Sequence, residues 1–219
     1  MKKFLKLTTV VVSMVMALAF VSCANGNENG QLNLVGTYGL SKVKVESIVK
    51  DSNDEVSITM TTTMPTSTSI HQYVVTQEVI DGEKKTVEAD VTITKTANGY
   101  SFNWAKYNID GVEKDEKPAM NDFDDETWID ITAPFAMTYT TTADGTWSDN
   151  SDPASSGTYT VDEANSKVIM KTLIEEGKTL ETPVIEELTY SDNGKTIVFV
   201  EEESSVDGTY KMTMTFTRK

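Results

Sequence analysis

The sequence contains a single cysteine, Cys23, and a single histidine, His71, in 219 residues. A lone cysteine cannot form an internal disulfide, so packing must stabilise the folded chain. These counts also exclude metal sites built from several histidines or cysteines, and cysteine–histidine catalytic pairs. No motif singles out another nucleophile or acid–base pair. We therefore expect a non-enzymatic protein without a cofactor.

Positive charge is also scarce. The chain has 19 lysines and arginines against 34 aspartates and glutamates, which gives a formal net charge of −15 at pH 7. Such a surface repels phosphate-rich partners. We therefore expect the folded chain to bind neither nucleic acid nor anionic lipid headgroups.

Long apolar runs are absent as well. The apolar stretch over residues 7–19 follows three lysines and precedes Phe-Val-Ser-Cys at residues 20–23. It is shorter than the roughly 20 residues that cross a bilayer core, and the order is typical of an export signal. Residues 20–23 resemble a lipobox, the cleavage motif of bacterial lipoproteins. An ordinary secretory signal cut near Ser22 or Ala24 is the alternative, but it would leave a free thiol in an oxidising compartment.

The lipobox resemblance implies that residues 1–22 are removed and that Cys23 carries fatty acyl chains such as palmitate. Loss of the three signal lysines would lower the net charge from −15 to −18. The implied location is the cell envelope of a diderm bacterium, with the protein anchored in the outer membrane by its lipid and the side of display left open. Residues 23–33 have no apolar period and predict a flexible tether, followed by one domain over residues 34–219.

Helical periodicity is almost absent from that domain, with the possible exception of residues 120–131. Apolar and polar residues instead alternate with a period of two, which is typical of strands with one buried face. Alternating segments occupy residues 56–60, 73–79, 87–93, 100–104, 135–142, 145–148, 157–161, 167–173, 184–190, 195–203 and 208–218. Turn signals such as Asp81-Gly82, Asn98-Gly99 and Asp110-Gly111 separate several of them. The pattern predicts an all-β fold, an antiparallel up-and-down barrel of about 8–10 strands, with a β-sandwich as the alternative.

A tripeptide of glycine, threonine and an aromatic residue occurs four times, beginning at Gly36, Gly145, Gly157 and Gly208. The first copy resembles the glycine, any residue, tryptophan signature of the first lipocalin strand, with Tyr38 in the tryptophan position. The resemblance to bacterial lipocalin-like domains covers most of residues 33–219. It implies a barrel whose final strand places a basic residue over the first-strand aromatic ring. Here that pair would be Arg218 over Tyr38, a structural contact that closes the barrel; a solvated Arg218 at the chain end is the alternative.

The densest charge cluster lies in residues 113–130, where four acidic side chains stand beside Phe123 and Trp128. A calcium site is one interpretation, because hard cations bind several oxygen ligands from one loop, but the spacing lacks the glycine and distant glutamate of an EF-hand loop. A solvated loop or short helical cap is therefore preferred, and we assign no metal. The calcium candidates are Asp122, Asp124, Asp125 and Glu126.

Methionines and aromatics on the apolar faces predict either an adaptable cavity lining or an irregular core, and core packing is the commoner use. Glu186 shares the parity of apolar neighbours, so it either points inwards and orients a polar ligand group or is rotated outwards by a bulge, the commoner case. The candidate ligand-lining residues are Met60, Phe102, Trp104, Met137, Met170, Glu186, Met212 and Met214.

Two functions follow from these observations. The first is a membrane-anchored envelope lipoprotein whose barrel binds a small apolar or amphipathic ligand in its interior. The second is a surface or periplasmic interaction module with a solid core and no small-molecule ligand, whose protein partner the sequence does not identify.

Overall fold

The computed structural model describes residues 32–51 and 54–219. The predicted signal, Cys23 and most of the predicted tether lie outside the described residues. Within them the chain forms thirteen strands and one α-helix. The strands are β1 (Gly36–Asp51), β2 (Asp54–Thr66), β3 (Ser69–Ile80), β4 (Glu83–Thr96), β5 (Gly99–Ile109), β6 (Val112–Glu113), β7 (Thr138–Thr141), β8 (Thr146–Asp149), β9 (Ser156–Asp162), β10 (Lys167–Glu175), β11 (Lys178–Ser191), β12 (Thr196–Ser205) and β13 (Gly208–Arg218), and the helix is α1 (Asp125–Ala136).

The strands form one antiparallel sheet in which β1 and β7 to β13 close a ring of eight, since β13 also pairs with β1. Strands β2 to β6 continue from β1 as a meander outside that ring. Strand β1 serves both parts, because Gly36–Gly39 pair with β7 whereas Lys42–Asp51 pair with β2. The prediction of an all-β antiparallel barrel is confirmed, with extra strands added to a closed ring of eight. Closure also decides against the sandwich, because a sandwich leaves its sheet edges unpaired.

The described chain divides into two compact units, and the single domain over residues 34–219 stays a prediction. The first unit contains the described residues up to Ser41, together with Ile129–Phe199 and Thr215–Lys219. The second unit contains Lys42–Trp128 and Val200–Met214. Strands β1, β12 and β13 contribute residues to both units.

The first unit has a densely packed aromatic core. Tyr38 pairs directly with Tyr139, and Tyr159 with Met170, so that each pair shares a face of the sheet. These side chains, together with Trp147, Leu188, Ile197 and Phe216, are at most 3% exposed. The ring of Tyr139 contacts those of Phe216 and Trp147 at centroid distances of 5.3 and 6.4 Å. Burial of these aromatic and aliphatic side chains stabilises the first unit by the hydrophobic effect, as expected for a chain that cannot form an internal disulfide.

The repeated tripeptide helps to build this core. The aromatic members Tyr38, Trp147 and Tyr159 are buried, whereas Tyr210 of the fourth copy, in the second unit, is half-buried. At Gly157 a Cβ atom would collide with the carbonyl oxygen of Lys171 and lie 2.5 Å from Trp147 Nε1. Glycine is therefore required there for the close approach of the neighbouring strand and the indole ring.

The second unit contains the meander from β2 to β6. Two of its hairpins turn at the predicted Asp-Gly pairs, Asp81-Gly82 and Asp110-Gly111. All four residues have positive φ, the backbone conformation that such tight turns require. In the hairpin between β4 and β5, Gly99 instead pairs with Thr96, so the two turn residues are Ala97 and Asn98. Strand β3 pairs with β4 over twelve successive residues, from Ser69↔Thr94 to Ile80↔Glu83.

Helix α1 replaces the beginning of the strand predicted over residues 135–142. Asp124 caps it, since its Oδ1 accepts hydrogen bonds from Thr127 N and Thr127 Oγ1 at 2.8 and 2.9 Å. Trp128, Ile131 and Phe135 are buried and recur with the spacing of one helical face. The possible helical stretch over residues 120–131 covers the first half of this helix, and the second half was missed because its β-branched residues and Pro134 favour a strand or a turn.

Candidate functional site

The eight candidate ligand-lining residues do not line one cavity. Met137, Met170 and Glu186 belong to the first unit, and the other five belong to the second. Met170, Met212 and Met214 are at most 2% exposed, so they fill cores. The interpretation that all eight line one barrel interior is wrong, because Met60, Phe102 and Trp104 lie on strands β2 and β5, outside the closed ring.

Three of the candidates do come together on one face of the second unit. Residues paired directly across neighbouring strands point to the same side of a sheet. One row runs through Met60, Val74, Ala89 and Tyr107, and the next through Thr62, Gln72, Val91 and Trp104. A third row, of Ile58, Thr76, Val87 and Ile109, lies on one side of these two, and a fourth, of Ile70, Ile93 and Phe102, lies on the other. We call these four rows the apolar face.

A β-bulge determines which aromatic residues reach the apolar face. The register between β4 and β5 shifts between Asp90 and Val91, so both Trp104 and Tyr107 lie on this face although three positions separate them. Their rings meet edge to face with centroids 5.8 Å apart. Burial, and then the charge of Glu78, raise the pKa of the Tyr107 hydroxyl. Strict alternation of residues would have put Tyr107 on the other side, which is why sequence reasoning missed it.

The least buried row of the apolar face lies near its middle. Met60, Val74, Ala89 and Tyr107 are all half-buried, whereas Val87 and Val91, the β4 neighbours of Ala89 on this face, are 6% and 4% exposed. Side chains that are apolar, half-exposed and contiguous are typical of a ligand-binding surface. The apolar face is therefore the candidate functional site.

A covering segment, residues 114–128, packs on one end of this site. The ring of Phe123 contacts those of Tyr100 and Phe102 at 4.9 and 5.5 Å, and Trp128 contacts Tyr100 at 5.5 Å. Phe123 and Trp128 are at most 9% exposed. The preferred interpretation of a solvated loop or short cap is therefore incomplete, since this segment carries part of the unit's hydrophobic core.

The four calcium candidates do not form a metal site. Asp124 caps helix α1, while Asp125 Oδ1 accepts hydrogen bonds from Tyr100 Oη at 2.5 Å and Lys95 Nζ at 2.7 Å. Hydrogen bonds from Lys95 and Tyr100 lower the pKa of the Asp125 carboxyl, and the Thr127 amide lowers that of Asp124. Across residues 32–51 and 54–219, no three His, Cys, Asp or Glu side chains are arranged to hold a metal ion.

The opposite side of the same strands, which we call the polar face, carries charged and hydroxylated side chains. Glu88 accepts hydrogen bonds from Lys106 Nζ at 2.7 Å and Tyr73 Oη at 2.6 Å, and His71 Nε2 lies 2.7 Å from Asp90 Oδ1. The bonds from Lys106 and Tyr73 lower the pKa of the Glu88 carboxyl. Because these groups satisfy one another, the polar face has the features of an ordinary solvated side of an antiparallel sheet.

Tyr38 and Arg218 lie in contact within the first unit. The guanidinium carbon of Arg218 is 5.7 Å from the centre of the Tyr38 ring. Tyr38 Oη donates to the carbonyl oxygens of Gly194 at 2.5 Å and Leu34 at 3.1 Å, and Arg218 also donates to Gly194 O, at 2.9 Å, and to Asn33 O. Burial raises the pKa of the Tyr38 hydroxyl, and the charge of Arg218 offsets part of this increase. Both side chains therefore donate hydrogen bonds to backbone carbonyl oxygens, those of Asn33, Leu34 and Gly194. The role of the pair in closing the barrel stays a prediction.

Glu186 shares a face with the first unit's core. It pairs directly with Met170, and the bulge between β10 and β11 lies between Thr172 and Ile174, away from Glu186. Its Oε2 atom is buried, and its charge adds to burial and Asp149 in raising the pKa of Tyr139. The structure therefore places this carboxylate beside the aromatic core, apart from the apolar face of the second unit. Met137 is half-buried, between helix α1 and strand β7.

A second surface feature of the second unit is an open groove of about 560 Å³. It is lined by Ser47–Val49 of β1 and by residues 203–205 and 207–210 of the β12–β13 hairpin. None of the predicted ligand-lining residues belongs to it.

The fold and the candidate site define a class: an all-β protein with a closed antiparallel barrel and an added meander that carries an apolar face. Within the described part of the chain, no helix combines the length and apolarity needed to span a bilayer. No protein-family model and no curated protein matches this chain. A similar solved structure is the crystal structure of a porin-like protein from Bacteroides uniformis ATCC 8492, with 11% identity and a TM-score of 0.22 over 82% of this chain and 97% of that one. At that similarity, no property of the porin-like protein is transferred to this chain.

Proposed function

We propose that this protein is a lipid-anchored envelope lipoprotein that binds a small apolar or amphipathic molecule on the apolar face of its second unit. Its role is binding and presentation, without catalysis or a cofactor. The observation that carries the proposal is the contiguous row of half-buried Met60, Val74, Ala89 and Tyr107, next to half-buried Trp104. A stable sheet usually buries a row of apolar side chains against another part of its own chain. This row is only half-buried, and a small apolar molecule would cover the rest of its surface.

The ligand position proposed here differs from the barrel interior expected from the sequence. The core of the first unit is filled by side chains at most 9% exposed, and Tyr38, Tyr139 and Trp147 at its centre are at most 3% exposed. A ligand there would have to displace close-packed aromatic rings, which is costly. The meander is therefore the better place for binding.

The anchor is proposed from the lipobox-like residues 20–23 and the export signal before them. Two or three acyl chains on one residue give lasting membrane attachment, whereas a single chain gives marginal attachment. The proposed location is the outer membrane of a diderm envelope. The negative charge of the chain argues against nucleic acid as a partner.

Mass spectrometry of the amino-terminal peptide tests the anchor. The wild-type chain expressed in a diderm host should begin at Cys23 with acyl chains attached and enter the detergent phase on partition. The Cys23→Ser chain should carry no acyl group and should keep residues 1–22, because cleavage before residue 23 depends on the cysteine. An unacylated wild-type amino terminus would refute the proposed anchor.

Native mass spectrometry of the protein purified from its own host tests ligand binding. We expect a retained small molecule in the wild type and its loss in Met60→Lys, which places a charge on the apolar face. Thr61→Lys is the matched control, because Thr61 is the next residue of β2 and faces the opposite side. Retention of the molecule by Met60→Lys would place its site elsewhere.

The second candidate function is an interaction module without a small-molecule ligand. The closely packed core of the first unit favours this candidate, since aromatic side chains of its described residues are buried against one another. Absence of any retained molecule from repeated native preparations would favour this candidate over ligand binding.

A further inference from the structure

We propose that the ligand of the apolar face is uncharged, lies over Ala89, and is oriented by a hydrogen bond to Gln72. This inference rests on the proposed function and specifies the class of molecule bound. It follows from three features of the apolar face: the size of its side chains, its lack of charge and the position of its polar groups.

Ala89 leaves a depression in the apolar face. It pairs directly with Val74 on one side and Tyr107 on the other, and it has the smallest side chain in the four rows. Neighbouring strands are about 4.8 Å apart, so Val74 and Tyr107 are separated by about 10 Å across Ala89. The side chains of Val74 and Tyr107 occupy part of this backbone spacing, so the gap above the Ala89 methyl group fits a single ring or an extended alkyl chain.

The centre of the apolar face has no charged side chain. The rows through Ile58, Met60 and Thr62 contain only aliphatic, aromatic, hydroxyl and amide groups. Glu88, Asp90 and Lys106 lie on the polar face. Glu78 and Lys85, which pair directly with each other, flank the row of Thr76 and Val87 on the apolar side, at its edge. An ionised ligand lying over Ala89 would lose hydration without a counter-charge in that row or in the two rows beside it, which is unfavourable.

Gln72 supplies the accessible polar group. Thr62 and Thr76 are 4% and 2% exposed, whereas Gln72 is half-buried. The Gln72 amide nitrogen donates a long hydrogen bond to Thr62 Oγ1, at 3.4 Å. The amide oxygen of Gln72 is then available to accept a hydrogen bond from a hydroxyl, an amide or an amine N–H of the ligand.

Two dyes that differ by one charged group test this inference. N-phenyl-1-naphthylamine is neutral and carries one N–H donor, and 1-anilinonaphthalene-8-sulfonate is its anionic analogue. Binding to the mature chain over residues 23–219 with Cys23→Ser, expressed without the signal, is measured by dye fluorescence in about 0.5 M salt, which screens the long-range field of the acidic protein. The neutral dye should bind at least about tenfold more tightly. Equal affinity for the two dyes would overturn the claim that the ligand is uncharged.

Two substitutions test the position. Ala89→Leu should fill the depression and weaken binding of the neutral dye at least about tenfold. Thr92→Leu is the control, since Thr92 lies on the same strand, pairs with His71 on the polar face, and should leave binding unchanged. Gln72→Lys should reverse the preference by raising affinity for the sulfonate relative to the neutral dye, because it adds a cation to the face.

Circular dichroism of each variant confirms folding before binding is compared. Unchanged affinity of a folded Ala89→Leu chain for the neutral dye would overturn the assignment to Ala89 while leaving the proposed function intact. Failure of the mature Cys23→Ser chain, without further substitutions, to bind either dye would overturn both the inference and the ligand-binding function.

Discussion

In the first unit, Tyr38 stabilises the fold partly through hydrogen bonds from its hydroxyl to backbone carbonyl oxygens. The Tyr38 hydroxyl contacts the carbonyl oxygens of Gly194 and Leu34. Each carbonyl has a second donor, Arg218 for Gly194 and Thr141 for Leu34. Loss of the tyrosine hydroxyl would therefore weaken the cluster without leaving either acceptor unpaired.

Tyr38→Phe should lower the free energy of unfolding by about 1 kcal/mol, because hydrogen bonds are lost but both carbonyls keep a partner. The measurement is urea denaturation followed by circular dichroism. Tyr210→Phe is the control: Tyr210 is half-buried in the fourth copy of the tripeptide, and its hydroxyl makes no hydrogen bond with the described residues. A loss in Tyr38→Phe no greater than in this control would show that the Tyr38 hydrogen bonds contribute nothing to stability.

At the scale of elements, the meander of the second unit presents two contrasting faces. Its apolar face is covered at one end by the segment over residues 114–128, where Phe123 packs on Tyr100 and Phe102. The polar face is organised by Glu88, with Lys106 and Tyr73 as donors. A substitution on each face tests its contribution to stability.

Phe123→Ala should destabilise the second unit by about 3 kcal/mol, the usual cost of removing a buried phenylalanine ring. Hydrogen exchange should become faster in the covering segment and in β5. Val112→Ala is the matched control, because Val112 is 58% exposed and should change stability by less than about 0.5 kcal/mol. Unchanged exchange in Phe123→Ala would mean that the ring does not hold the covering segment in place.

Acid should weaken the polar face. The pKa of Glu88 is lowered in the folded state by its hydrogen bonds, so its stabilising effect is present above the carboxyl pKa of the unfolded chain, about 4.3. The effect decreases as the pH falls through the lower, folded-state value. Glu88→Gln should therefore reduce the pH dependence of stability in this window. A carbon-detected NMR titration that gave Glu88 an ordinary or raised pKa would contradict the expectation.

At the scale of the whole molecule, acidic charge predominates over basic charge by 15. Repulsion among these charges opposes the compact state. Raising ionic strength from about 0.02 to 0.2 M shortens the screening length from roughly 20 to 7 Å. The thermal midpoint should then rise by about 2–4 °C, equivalent to about 1 kcal/mol. Choline chloride should act like sodium chloride, and a fall in the midpoint would show that attractive ion pairs outweigh the repulsion.

Sequence reasoning was most successful where a local rule decides the outcome. The alternating segment predicted over residues 208–218 puts Tyr210, Met212, Met214 and Phe216 on one face, and the last three of these are at most 3% exposed. The Asp81-Gly82 and Asp110-Gly111 turns followed from backbone conformations that few residues tolerate. Helix α1 was partly missed because intrinsic propensity is weak and tertiary packing overrides it.

The amino-acid sequence by itself determined the all-β character, the antiparallel alternation and the acidic surface, because each depends on local periodicity or composition. Only the tertiary structure decided that β1 changes partner from β7 to β2 and that a bulge brings Trp104 and Tyr107 to one face. The same applies to the separation of the predicted ligand-lining residues into two units. Strand pairing over long sequence distances depends on which faces pack together, and a period of two contains no information about the partner.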